Sequence, residues 1–224
     1  MRRVVDIFDE VSDDLRAERT LRLARRYGLL VLGAAVAVVL GVALQQTYAW
    51  YQGKQDQKAA AAYLTITAPI DAAGPNQSDA ERKQDAAKLT QFAASAPAGY
   101  RTLATLRAAA LYSDAGDAAQ AEKLWTRLGQ DSGADPLLRD LANLLWAQHA
   151  LGHAPDDAVM ARLKPLVKTS NPYHALAQET EALLDLHAHK PDLGKALLTQ
   201  IGSDPDAPEQ VRARANLLLE QLNG

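Results

Sequence analysis

No charged residue occurs between residues 27 and 53, and this run constrains the chain more than any other feature. Its strictly apolar centre, residues 29–44, would be about 24 Å long as an α-helix at 1.5 Å per residue. The uncharged flanks bring it to the roughly 20 residues that cross a bilayer. A buried core helix is the alternative, but such a helix is seldom apolar on every face, as LLVLGAAVAVVLGVAL is. The run therefore predicts a transmembrane helix over residues 27–51.

The residues that flank the run predict its orientation. Tyrosine and tryptophan are enriched at membrane interfaces, and here they occupy both ends, as Tyr27, Tyr48, Trp50 and Tyr51. Five arginines precede the run, namely Arg16, Arg19, Arg22, Arg25 and Arg26. Only Lys54 and Lys58 follow it closely. Because basic residues favour the cytoplasmic side, we expect a cytoplasmic tail (residues 1–26) and a long C-terminal part across the membrane.

A cleaved signal peptide is the alternative to an anchor, because Gly41-Val42-Ala43 could serve as a cleavage site. However, residues 1–26 contain six acidic residues as well as seven arginines. The start of a signal peptide is short and basic, so this composition argues against one. We therefore expect an uncleaved anchor.

The tail has an apolar pattern of its own. Val4, Phe8, Val11 and Leu15 recur at steps of four, three and four residues, which places them on one face of a helix. This amphipathic helix either orients the anchor in the membrane or docks a partner.

Composition narrows the fold and the function. Alanine, the best helix former, accounts for 44 of 224 residues, and aromatic residues for only 5%. The chain has no cysteine, which excludes a disulfide scaffold, a cysteine nucleophile, cysteine-ligated zinc and a lipoprotein anchor. The net charge of −3 gives no basic excess for nucleic acid.

Glycine and proline divide the rest of the chain into predicted helices. The membrane helix should continue to residue 67, and a loop should follow at residues 69–77. Ser78 and Glu81 form a capping box that opens the next helix, which should end near residues 97–99. Further helices are predicted at residues 100–114, from 117, at 135–151, 156–167 (bent at Pro165), 171–189, 191–201 and 206–222.

These helices form pairs that repeat. Counted from the turn at Gly116, Ala109 lies seven residues before, Ala121 five after and Trp125 nine after. This resembles the tetratricopeptide repeat pattern, in which small residues let two helices approach closely. Sister turns at Gly152 and Pro191 give spacings of 36 and 39 residues, against the usual ~34. The match is weaker there, with Leu145, Gln148 and Ala158 around Gly152 and Leu184, His187 and Ala196 around Pro191.

The predicted fold is all-α: one N-terminal transmembrane helix followed by a right-handed α-solenoid of degenerate tetratricopeptide-like helix pairs. The expected organisation is a cytoplasmic tail (1–26), the membrane helix (27–51), connecting helices (52–99) and the repeat domain (100–224). An ordinary irregular helical domain is the alternative to the stack.

The arrangement as a whole resembles the YfgM-like family of ancillary Sec translocon subunits. The best local matches are DIFDEV…RRYG (residues 6–28), the helix pair at Gly116, and HALAQETEALLDLHAHKPDLGKALL (residues 174–198). The resemblance implies a single-pass protein of the bacterial inner membrane, with a cytoplasmic N-terminus and a periplasmic C-terminal domain. It also implies two protein partners in protein export: Sec translocon subunits and a membrane-anchored periplasmic chaperone of the prolyl-isomerase type. A structural or assembly factor in division or outer-membrane biogenesis is the alternative.

No residue pattern predicts catalysis. His149 and His153 have the i, i+4 spacing of a helical metal site, but Gly152 lies where the helix should end, so solvated turn histidines are the better interpretation. The sequence contains neither a glycine-rich phosphate loop nor a Gly-x-Ser-x-Gly elbow. We therefore expect no enzyme activity, no cofactor, no metal and no small-molecule substrate.

Repeat geometry predicts a protein-binding surface. In helix-pair stacks the first helix of each pair lines the concave side. The predicted partner-binding residues on those helices are Arg139, Trp146 and His149, then Gln178, Glu181 and Asp185. A tryptophan beside an arginine is typical of an interface hot spot. For Trp146, packing in the core is the alternative.

Overall fold

A computed structural model describes the backbone of residues 7–223 and the side chains of Tyr27, residues 32–34 and residues 36–223. The chain divides into two compact units after Gln55. A short 3₁₀ turn, Gly74–Asn76, follows the first helix. The α-helices of the described chain are α1 (Ile7–Ala73), α2 (Asp79–Ser95), α3 (Ala98–Asp114), α4 (Ala118–Gly129), α5 (Pro136–Ala150), α6 (Asp156–Leu163), α7 (His174–His187), α8 (Pro191–Ser203) and α9 (Glu209–Asn223).

In the first unit, α1 carries the apolar run. By length and composition, one helix of the described chain could cross a membrane, and none of its apolar window is buried. The apolar face predicted for the tail lies outside the described residues and side chains, as do the five arginines that predict the orientation.

The second unit is a stack of helices. From α2 to α9, each helix packs against the next one along the chain. In addition, α5 contacts α7, and α7 contacts α9. Contacts between neighbours and next-but-one helices are those of an α-solenoid, so the all-helical prediction is confirmed at this level.

Three buried positions recur in the helix pairs at the same spacing of 12 and then 4 residues. They are Ala109, Ala121 and Trp125 in α3–α4, Ala147, Val159 and Leu163 in α5–α6, and Ala182, Gly194 and Leu198 in α7–α8. The small residue of the first helix lets the second helix approach, and the larger residue one turn later fills the space between them. The repeat is therefore more regular than the sequence count indicated.

The predicted counterpart of the Gly116 turn, Pro191, is wrong by two residues. His189 has the positive φ of 59° that corresponds to 71° at Gly116. The same long backbone bond closes both turns, from the N–H of Asp117 and from that of Lys190, each 2.8 Å in length. This is the Schellman motif, in which a left-handed residue ends the helix. Glycine is the usual residue at a left-handed position, because it has no Cβ. With histidine there, the sequence does not show where this turn lies.

The middle turn has another geometry. Leu151 has φ −55° and ψ 128°, Gly152 has φ 84°, and the N–H of His153 donates to the carbonyl of Ala150 at 3.2 Å. These values define a type II β-turn, which needs glycine at its third position. The register counted from Gly152 is therefore wrong: Ala147 and Val159, not Leu145 and Ala158, hold the equivalent places.

Several helix boundaries also differ from the sequence prediction, among them the following three. The first helix continues through Pro69 to Ala73, because Thr67 and Ile70 are almost fully buried and this packing outweighs the backbone bond that proline cannot make. The sixth ends at Leu163, before Pro165. The seventh begins only at His174, because the Asn171 side chain accepts the N–H of Tyr173 and forms a turn. The capping box of Ser78 and Glu81 is confirmed.

Candidate protein-binding groove

A groove of about 440 Å³ opens on the side of the stack formed by α5, α7 and α9. These are the first helices of two successive pairs and the helix that follows the last pair. Its wall consists of Gln148, Leu151, Glu179, Thr180, Leu183, Arg214, Leu217 and Leu218. Four of these are leucines, and the volume lies within the ~300–1,000 Å³ typical of ligand sites.

The charged groups of the groove neutralise each other. Arg214 of α9 donates to both carboxylate oxygens of Glu179 on α7, from Nε at 2.8 Å and from Nη2 at 2.6 Å. The Glu179 side chain is only 8% exposed. A two-bond pair of this kind is geometrically specific and strong, and it raises the pKa of Arg214 further above its ordinary value. The groove therefore presents apolar surface with no net charge.

The uncharged polar groups of the groove are also satisfied. Thr180 donates its hydroxyl to the carbonyl of Leu176 at 2.8 Å. Gln148 donates its side-chain amide to the same hydroxyl at 3.4 Å, which links α5 to α7. An occupant of this groove would thus gain chiefly by burying apolar surface.

The residues predicted to bind a partner lie elsewhere, and none of the six lines this groove. Trp146 is 9% exposed, and the guanidinium of Arg162 lies over its ring at 4.1 Å. Arg162 also bonds to Asn143 and Thr126, each at 3.0 Å. Burial lowers the pKa of Arg162. Trp146 thus joins α5 to α6 in the interior of the stack.

The other two residues on α5 also contact neighbouring helices or lie partly inside. The His149 ring stacks on Trp125 at 4.7 Å between centroids, and its Nδ1 lies 3.1 Å from the Ser113 hydroxyl. Arg139 is half-buried, and its Nε finds no hydrogen-bond partner within the described part of the chain. His153 pairs with Glu122 of α4 at 2.6 Å, so the two turn histidines have separate partners.

Gln178, Glu181 and Asp185 share one face of α7. At 3.6 residues per turn, that face is roughly opposite to Leu183 in the groove. Asp185 is buried, with one carboxylate oxygen 3.9 Å from the Lys190 ammonium. Partner binding by the six residues stays a prediction.

Glu181, on this opposite face of α7, makes the free energy of unfolding depend on pH. Burial, and then repulsion from Asp185, raise the pKa of Glu181 from its ordinary value of 4.5. Folding therefore favours the neutral carboxyl of Glu181. Its contribution to stability is complete below the unfolded pKa and is lost as the pH rises through the higher folded pKa, where the carboxyl becomes charged. We expect Glu181→Gln to raise the free energy of unfolding at pH 7 by up to about 1 kcal/mol, since solvent screens this partly exposed group.

The gain should disappear below about pH 4, where both states are protonated. Chemical denaturation of the full chain at the two pH values measures it. Glu220→Gln, an exposed change of the same charge on α9, is the matched control. An equal gain at both pH values would show that burial of the carboxylate is not its cause.

A family model for tetratricopeptide repeat-like domains matches residues 23–201. The chain belongs to the tetratricopeptide repeat-like family. Neither curated proteins nor solved structures give a match. In this tetratricopeptide-like chain, α5 and α7 lie within the matched residues, whereas α9 follows them and still supplies one wall of the groove. Domains of this kind are typically scaffolds that bind proteins.

Sequence reasoning pointed to the first helices, two of which line the groove, but it named none of the residues in the groove wall. The face of a helix that remains open depends on how its neighbours pack, and a one-residue change of register rotates that face by 100°. A signal was present in α9, where three consecutive leucines, Leu217 to Leu219, exceed what one buried face requires.

Proposed function

We propose that this protein is a membrane-anchored scaffold that binds other proteins during export. The observation that carries the proposal is the apolar groove without net charge that α5, α7 and α9 form in a tetratricopeptide-like stack. The resemblance to the YfgM-like family supports the choice of partners: Sec translocon subunits and a membrane-anchored periplasmic chaperone of the prolyl-isomerase type.

The anchor in this proposal is the apolar part of α1. We place it in the bacterial inner membrane as a single pass, with residues 1–26 in the cytoplasm and the C-terminal domain in the periplasm. The wholly exposed apolar window supports this assignment, and so does the excess of arginine before the run. The proposed parts are the membrane helix at 27–51, connecting helices at 52–99 and a right-handed repeat stack at 100–224.

The chemistry of the groove supports an uncharged occupant. A charged side chain placed there would lose its water, and the only ions present already pair with each other. An apolar segment gains about 1.5–3 kcal/mol for each large side chain that it buries. Partner segments rich in leucine, isoleucine or phenylalanine are therefore preferred.

Two leucines allow a matched test of this site. Leu217 lines the groove, Leu193 lies on α8 outside it, and both are 55% exposed. We expect Leu217→Gln to weaken binding of the full chain to purified translocon in nanodiscs, or to the purified chaperone, by about tenfold, the equivalent of ~1.4 kcal/mol. Leu193→Gln should leave binding unchanged. Equal affinities of the two variants would show that the groove is not the binding site.

A further inference from the structure

The segment of α1 that follows the apolar run contains three aromatic residues and, after them, three polar ones. The apolar run ends at Leu44, and the uncharged polar residues 45–47 follow it. The aromatic residues Tyr48, Trp50 and Tyr51 come next, and Gln52, Lys54 and Gln55 come after them. The three aromatic rings are 57–65% exposed. Every described side chain from residue 36 to residue 55 is exposed.

Three side-chain pairs, each with the spacing i, i+4, join the aromatic residues to the polar residues that follow them. Gln52 donates to the Tyr48 hydroxyl at 2.6 Å, and Gln55 donates to the Tyr51 hydroxyl at 3.0 Å. The Lys54 ammonium lies 4.0 Å from the centre of the Trp50 ring. Because helical side chains point back towards the N-terminus, each polar group reaches down onto the ring one turn below it.

The pairs point to different sides of the helix. At 100° per residue, Tyr48 and Tyr51 lie within 60° of each other, and Trp50 lies 100° from Tyr51 and 160° from Tyr48. A helix that used these rings to pack against one protein surface would keep them on one side. These rings lie on different sides of the helix, and each contacts an amide or an ammonium group. This arrangement is typical of a membrane–water interface, which surrounds the helix on all sides.

We propose that these six residues form a collar that binds the headgroup layer of a phospholipid membrane, with Lys54 as its contact to lipid phosphate. The tyrosine and tryptophan rings lie at the level of the glycerol and carbonyl groups, and the amides of Gln52 and Gln55 lie in water. This inference rests on the proposed membrane anchor. Counted back by the roughly 20 residues of a bilayer core, the other boundary falls near Tyr27.

Lipid quenching of tryptophan fluorescence tests the collar in the full chain, reconstituted into phosphatidylethanolamine–phosphatidylglycerol vesicles. Brominated lipids carry the quencher either near the headgroup or near the end of the acyl chain. We expect stronger quenching by the shallow lipid, and Trp50→Phe should abolish the lipid-dependent quenching. Lys54→Gln should lower the ratio of shallow to deep quenching, because Trp50 moves inward, and Lys54→Arg should preserve that ratio.

Flotation of the vesicles after an alkaline wash separates two failures. A chain that does not float contradicts the membrane anchor and, with it, the proposed function. A chain that floats, but in which the deep lipid quenches Trp50 as strongly as the shallow one, contradicts the collar alone. A floating chain that neither lipid quenches shows that protein, not lipid, covers these rings, and also overturns the collar.

Discussion

Replacing Trp125 by alanine is expected to lower the free energy of unfolding by about 3–5 kcal/mol, the usual cost of deleting a large buried aromatic side chain. Trp125 of α4 is 1% exposed, and its ring stacks on the His149 ring of α5. The alanine substitution would therefore remove packing contacts within the pair α3–α4 and between this pair and the next. Chemical denaturation of the full chain, followed by circular dichroism, measures the change.

Trp125→Phe is the matched variant. The indole Nε1 is buried and has no hydrogen-bond partner in the described chain, so phenylalanine removes volume but no hydrogen bond. We expect a cost of about 1–2 kcal/mol. Equal losses for alanine and phenylalanine would mean that the indole N–H, rather than the packed volume, stabilises this junction, which would contradict the packing described here.

Gly194→Val should lower stability by about 1–3 kcal/mol or more, because there is no space for a side chain. A Cβ at this position would lie 2.9 Å from the backbone carbonyl oxygen of Ala182 and 2.7 Å from Cγ of Leu186. A flexible side chain can move away, whereas a backbone carbonyl within α7 cannot move without displacing the helix. The substitution therefore tests the close approach that defines the repeat register at His189.

Gly99→Val provides the comparison, because a Cβ there meets nothing within 4 Å. Valine has a better helix propensity than glycine, so this variant should be neutral or slightly more stable. Thermal unfolding of the two full-length variants compares them directly. If both variants unfold at the temperature of the unsubstituted chain, α7 and α8 do not approach each other as described.

Local signals in the sequence predicted much of the fold. The capping box at Ser78, the proline starts at Pro136 and Pro191, and the glycine turn at Gly116 all act within a few residues. The boundaries that failed were decided by distant packing or by unusual turn chemistry. Because Ile70 is buried, α1 continues past Pro69. His189 occupies the left-handed position at which glycine normally marks such a turn.

The candidate site was harder to predict than the fold. Repeat geometry pointed to α5 and α7 but not to α9, which also lines the groove. Core packing was the predicted alternative for Trp146. Repeat geometry could not show that Arg162 covers Trp146, because the two residues meet only after α6 packs on α5. The pair of Glu179 and Arg214 joins residues 35 positions apart, and no local pattern indicates it.

The central claim, protein binding in the groove, is tested most directly by crosslinking in intact membranes. A photo-reactive residue is placed at position 217 in the groove and, in a second chain, at position 193 outside it. We predict crosslinks to Sec translocon subunits or to the periplasmic chaperone from position 217 and none from position 193. The same partners from both positions, or division or outer-membrane proteins from position 217, would contradict the account. Capture of cytoplasmic proteins there would contradict the proposed orientation as well.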